Sequence, residues 1–412
     1  MKKLLSLFAI LLLAATSYAQ NKIDGVWTGK LNAGTQTLTI VIHVNHDANG
    51  NATSSLDSPD QGAKGIPAKV DYSSSDSIAI SIVKLGASFK GRLNGDEING
   101  EFSQMEYNFP LNLKRGEEKL NRPQNPTKPY PYKTEEVTFT NTTDKAILAG
   151  TICYPANYQK GKTPVVLMVT GSGLENRDEE VFDHKPFLVI ADYLARNGIA
   201  TLRYDDRTFG ESKGGDVKNA TTKDFARDAE AGIAYLKSTK KFGKVGVLGH
   251  SEGGSIAFML GAKNKVDFII SMAGIGVKGD TALTAQTNKA MELAGQTKRL
   301  TTLQYRISTT FQKSPWLNYF LDYDPSADIA ATKCPVMAID GDKDFQVISS
   351  LNLAGIKKNI HESKYNFIRE YPSLNHLFQH CTTGASNEYR SIEETVSPEV
   401  LTDMAKWVHS LK

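Results

Sequence analysis

Cysteine is scarce in this chain. The 412 residues hold three, Cys153, Cys334 and Cys381, and no C-x-x-C pair, so a cysteine-based metal centre is excluded. An odd number leaves at least one thiol unpaired in an exported protein, and packing beside strands is the role expected of Cys153 and Cys334. Charge of one sign is also missing. Lys and Arg total 48 against 45 Asp and Glu, a net charge of +3. With no basic tract, nucleic acid is excluded as a partner. Internal repeats and low-complexity tracts are absent. Long apolar runs are absent too, save one at the start.

That run lies over residues 4–15, behind Lys2 and Lys3. It is too short to span a bilayer. Ser17-Tyr18-Ala19 offers small residues where a signal peptidase reads them. The pattern predicts a signal peptide over 1–19, with Gln20 as the new N-terminus and a periplasmic or secreted product. No cysteine lies near that point, so neither a lipid nor a membrane anchor is expected.

A chain of this length suggests two or three domains at roughly 100–200 residues each, and a break in composition divides it. Residues 20–118 are rich in Thr, Ser, Val, Ile, Gly and Asn, with alternating runs at 37–42, 78–82 and 88–93. Asn49-Gly50 and Asn94-Gly95 punctuate them. This predicts a small all-β domain of about six to eight strands, a sandwich or small barrel. Of its aromatics, Trp27, Tyr72, Phe89 and Tyr107 are expected in the core; a glycan contact by this domain is the alternative. Residues 119–134 carry Pro123, Pro126, Pro129 and Pro131. They predict a semi-rigid linker.

From 135 to 412 strands alternate with helices. Residues 136–139 and 147–152 read as an antiparallel pair; 165–169 is a continuous apolar run, as in a strand buried on both faces. Helices are predicted near 185–197, 224–237, 251–262 and 398–411, with strands near 199–204, 244–248, 267–272, 335–339 and 365–368. This alternation specifies a mainly parallel sheet covered on both sides. The stretch about 276–330 lacks a strand and reads as helices, an insertion where a lid would sit.

Gly249-His250-Ser251-Glu252-Gly253 is a G-x-S-x-G pentapeptide. Alone it is weak evidence. Its position between an apolar strand and a helix of small residues is the setting of a nucleophile elbow. A serine alcohol needs a base to take its proton. Among His361, His376, His380 and His409, His376 directly follows the last strand and is the favoured base. Asp340, Asp342 and Asp344 follow the strand near 335–339 and are candidates for the acid that orients it. Oxyanion donors are expected from the backbone of Glu252 and from the loop Thr170-Gly171-Ser172-Gly173.

The chain from about 135 onward resembles exported bacterial α/β-hydrolases of the serine aminopeptidase-like and acyl-esterase-like group. The likeness rests on Gly171-Ser172-Gly173 with Asn176-Arg177-Asp178-Glu179, on Tyr204-Asp205-Asp206-Arg207 and on the elbow. It continues through Ser314-Pro315-Trp316, Tyr323-Asp324-Pro325, the segment from Gly341 to Val347, and Leu374-Asn375-His376. The resemblance implies an α/β-hydrolase fold with a helical lid, Ser251 as nucleophile, Asp344 as acid, His376 as base, and the Ser172 backbone as first oxyanion donor. It implies no cofactor and no metal. Two departures stand out. Thr208 follows Arg207 where the family continues with Gly, and the lid looks short. The expected activity is hydrolysis of small or medium acyl esters, with a serine exopeptidase acting on short peptides as the alternative. Glu179 and Glu180 are the carboxylates available to anchor a peptide amine.

Overall fold

The computed structural model describes residues 22–33 and 36–411. The expected signal segment lies outside them. No described helix is long and apolar enough to cross a membrane. The chain forms two compact units, 1–119 and 120–412.

In the first unit eight antiparallel strands close into a barrel: β1 (Gly25–Ala33), β2 (Gln36–His46), β3 (Ala52–Ser58), β4 (Ala63–Ser73), β5 (Ser77–Ile82), β6 (Ala87–Asn94), β7 (Glu97–Gln104) and β8 (Tyr107–Arg115). Each strand pairs with the next. The ring shuts where Trp27 faces Arg115 and Thr28 faces Lys114. Alternation fills the interior: Trp27, Ile42, Leu56, Ile80, Phe89, Ile98 and Leu113 are buried. The Trp27 indole donates to the Ile23 carbonyl at 2.8 Å, so its one polar atom is satisfied. Tyr72 and Tyr107, expected in the core, are exposed instead. A register irregularity between Val70 and Tyr72 breaks the alternation that buries Ala68, and Tyr107 is the first residue of β8, ahead of the buried Leu111 and Leu113.

The second unit holds an eight-stranded sheet. Its strands are β9 (Lys133–Asn141), β10 (Ala146–Tyr154), β11 (Val165–Val169), β12 (Ala200–Tyr204), β13 (Val245–His250), β14 (Ile269–Met272), β15 (Val336–Gly341) and β16 (Phe367–Tyr371). Their spatial order is β16-β15-β14-β13-β11-β12-β10-β9. The first six of that list run parallel, and β10 and β9 form an antiparallel hairpin at one edge. Helices α1 (Pro186–Arg196), α2 (Thr222–Ser238) and α3 (Glu252–Ala262) make the crossovers around β12 and β13. Four helices occupy the strandless insertion: α4 (Gly279–Leu293), α5 (Thr302–Thr309), α6 (Pro315–Asp322) and α7 (Ser326–Ala331). Then come α8 (Ser349–Asn359), the short α9 (Ser386–Tyr389) and α10 (Pro398–Ser410).

The proline-rich stretch departs from its expectation as a linker. The unit boundary falls before Leu120, and the segment is tied down by side-chain hydrogen bonds. Arg122 donates to the carbonyls of Arg390 (2.6 Å) and Ile392 (2.9 Å), and Gln124 accepts the Thr395 N–H at 2.5 Å. Prolines leave few backbone donors, so these long polar side chains supply the attachment. All three cysteines are free thiols.

The sheet has one switch point. From β11 the chain passes to β12 on one side, then returns to β13 on the other. Loops leaving β11 and β13 therefore part in opposite directions and open a crevice above their carboxyl ends.

Candidate active site

Ser251 stands at this crevice, between the end of β13 and the first turn of α3. Its backbone is at φ 53, ψ −115, a region costly for a residue with a side chain. Close packing holds it there. A Cβ on Gly249 would sit 1.9 Å from the Gly253 carbonyl oxygen, and one on Gly253 would sit 2.2 Å from that of Val169. Only glycine permits that approach on both sides of the serine. The Ser251 N–H donates to the Met272 carbonyl at 2.8 Å, which pins the turn to β14.

His376 lies in the loop after β16 and is buried. Its Nδ1 is 2.5 Å from Asp344 Oδ2. The other Asp344 oxygen accepts the N–H groups of Gln346 (2.7 Å) and Val347 (2.9 Å). Three donors thus meet this carboxylate.

The remaining acid candidates are elsewhere engaged. Asp342 is exposed and accepts the Ser373 N–H at 2.6 Å. Asp340 is buried, and burial together with the neighbouring Asp344 holds its carboxyl well above the usual range. Of the other histidines, His380 is exposed against Glu394 at 2.8 Å, and His409 pairs with the Asn197 carbonyl at 2.7 Å.

Ser172, Ser251 and His376 line one cavity of about 290 Å³, together with Gly171, Glu175, Glu179 and His250. Phe345, Gln346 and Leu377 also line it. Glu252 opens α3, where first-turn N–H groups have no intrahelical acceptor. Its side chain is buried, which pushes that carboxyl up; it meets the Thr222 and Ser172 side chains and accepts the Trp316 indole N–H from α6 at 2.8 Å. The elbow and the helical insertion are thereby joined through one residue.

The segment Asp205-Asp206-Arg207 braces the loops around the cavity. Asp205 takes the Arg177 guanidinium at 2.8 Å. Asp206 accepts the Thr170 hydroxyl and, at 2.9 Å, the Glu175 N–H; burial raises it to about 8. Arg207 is buried against Asp228 at 2.7 Å. Thr208 holds φ 63, so the left-handed turn that glycine would favour is kept without it.

Glu179 is not the free carboxylate that an amine anchor would need. It is buried, and its Oε1 meets His250 Nδ1 at 2.9 Å and the Gly171 N–H at 3.3 Å. Glu180 pairs with Lys185 at 3.4 Å, and Asp178 pairs with Arg203. Sequence reasoning missed the His250–Glu179 pair. The only local signal was a histidine inside an otherwise small or apolar strand end.

Residues 185–336 match the family described as "Serine aminopeptidase, S33". The chain is similar to the esterase EstD of Thermotoga maritima, 26% identical over 273 residues, which span 63% of this chain and 65% of that relative. The second unit has the α/β-hydrolase fold. The match thus covers less than two thirds of EstD. Among solved structures, an esterase of Pyrococcus furiosus is 17% identical with a TM-score of 0.45, covering 72% of this chain and 98% of its own. Est1E of Butyrivibrio proteoclasticus is 16% identical with a TM-score of 0.43, covering 67% and 98%. In this fold Ser251 after β13, Asp344 after β15 and His376 after β16 all lie at the carboxyl ends of parallel strands, where such sheets bind their ligands.

Proposed function

We propose that the protein hydrolyses carboxylic esters of small or medium acyl groups through a Ser251 acyl-enzyme. The observation that carries this reading is the cavity shared by Ser251 and His376, with His376 bound at Nδ1 to Asp344. Ser251 Oγ attacks the ester carbonyl as its proton passes to His376 Nε2. Asp344 orients the ring and balances the imidazolium. The oxyanion is received by the backbone N–H groups of Ser172 and Glu252. His376 then protonates the departing alkoxide. Water, deprotonated by the same ring, releases the acid and restores the serine. The chemistry draws on the protein and water alone.

The exopeptidase alternative needs a carboxylate free to hold a substrate amine. Glu179 is taken by His250 and Gly171, Glu180 by Lys185, and Asp178 by Arg203. Their engagement favours the ester reading. The similarity to EstD, named an esterase, supports it too. Export is part of the same proposal, supported by Lys2, Lys3 and the apolar run that follows; cell fractionation checks it. The test of activity compares p-nitrophenyl acetate and butyrate with aminoacyl anilides. The esters should turn over at least about a hundredfold more efficiently, beyond their difference in intrinsic reactivity. Efficient anilide cleavage would replace this reading with the peptidase one.

A further inference from the structure

We propose that His250 is a positioning residue for the proposed reaction: its ring, held between the Glu179 carboxylate and the backbone carbonyl of His376, ties the oxyanion loop to the loop that carries the base. The inference rests on the roles given above to Ser251 and His376.

Both ring nitrogens of His250 face acceptors. Nδ1 is 2.9 Å from Glu179 Oε1, and Nε2 is 2.9 Å from the His376 carbonyl oxygen. A neutral imidazole has one N–H, so it would leave a lone pair against one of the two. Only the imidazolium donates to both. Burial opposes that charge, yet Glu179, with the His376 carbonyl and Glu175 behind it, outweighs burial and raises the ring to about 9. The same Glu179 oxygen accepts the Gly171 N–H at 3.3 Å. Three hydrogen bonds therefore run from Gly171 through Glu179 and His250 to His376, across the end of β13. One end holds the residue before Ser172; the other holds the base. Glu179 adopts φ 53 in this bridge, a conformation that persists only where its surroundings impose it.

The groups facing His250 are few. Glu179 and Glu175 come from the loop after β11. His376 comes from the loop after β16, its ring centroid 4.7 Å away, and the Phe378 ring lies at 6.4 Å. Burial beside Glu179 and Asp206 holds the Glu175 carboxyl well above the usual range. Loss of the second His250 proton leaves the bridge one donor short, and the His376 loop loses its tie.

The test measures how fast a fluorophosphonate labels Ser251 in the full chain, between about pH 6 and 10. In the wild type the rate should fall on the alkaline side near pH 9. Glu179→Gln removes the charge that raises His250, so the fall should move to lower pH by about one unit or more. Asp206 also titrates in this range, but it is set by burial, Glu175, Thr170, Asp228 and Glu252; a fall due to Asp206 would stay in place. His250→Gln should lower kcat for p-nitrophenyl butyrate about 10–100-fold with little change in KM, the signature of a misplaced rather than missing group. Labelling that is flat to about pH 10, or a fall unmoved by Glu179→Gln, overturns the inference alone. No labelling at any pH overturns the role of Ser251 as well. Nitrogen-15 imidazole shifts of the wild type at pH 7 need no variant. Two protonated nitrogens on His250 support the bridge; one protonated nitrogen overturns it.

Discussion

The barrel and the α/β unit bury their strands by different rules. In β5 the barrel hides Ile78, Ile80 and Ile82, while the residues between them face outward. In β11 of the larger unit all five residues are buried. A barrel strand has one wet face, and its neighbours in space are its neighbours in sequence. The larger sheet is covered on both faces, and its order requires crossovers. Those crossovers create the switch point, and the cavity lined by Ser251 and His376 opens beside it. The difference teaches that closure by nearest neighbours makes a well-filled core, whereas an order that doubles back leaves loops free to converge on a substrate.

Substitutions can break or sharpen this contrast. The largest effect is expected from Ser251→Ala, which should cost on the order of 10⁵–10⁶ in kcat with unchanged thermal unfolding. Near wild-type ester turnover by this variant would sink the nucleophile assignment. Next is Asp344→Asn, expected to cost on the order of 10³–10⁴ in kcat, because His376 loses its counter-charge and its tautomer. Asp342→Asn should change kcat by less than about threefold; the reverse ranking would move the acid two residues. On the barrel side the effect should be on stability rather than chemistry. Trp27→Ala should destabilise the barrel by about 3–5 kcal/mol, read as faster amide exchange over β1–β8 with β11 and β13 protected as before. Equal loosening of both sets would dissolve the comparison. The smallest effect is Thr208→Gly. Relief of the positive φ at an exposed position should raise stability of the α/β unit by about 1 kcal/mol; a lower melting temperature would show that the threonine side chain is needed.

Much of this architecture was readable because the signals were short-range. The elbow is five adjacent residues, and strand–helix alternation reports the sheet. His376 and Asp344 were placed by which strand each follows. The unread features depend on distance or on polar side chains in buried places. The His250–Glu179 pair joins positions 71 apart, and nothing near either residue announces the other. Helix α8 could not be delimited from the sequence, since its buried face carries Ser349 and Asn352 beside Leu353 and Ile356. Asn352 is there to accept the Gly276 N–H at 2.9 Å, so its polarity obscures the periodicity. The proline-rich stretch misled for the opposite reason: its composition describes a free spacer, and the side chains of Arg122 and Gln124 fasten it.

The closing of the barrel has a consequence for how the protein keeps to itself. Among the described residues the ring closes on itself through the pairs Trp27–Arg115 and Thr28–Lys114, so the first unit gives little template for sheet extension. The open sheet does end, at β9 and at β16. Each end carries charge where another strand would dock: Lys133, Glu135 and Glu136 along β9, Arg369 and Glu370 along β16. Protection against aggregation is thus geometric in one unit and electrostatic in the other, and acid or high salt would weaken only the second.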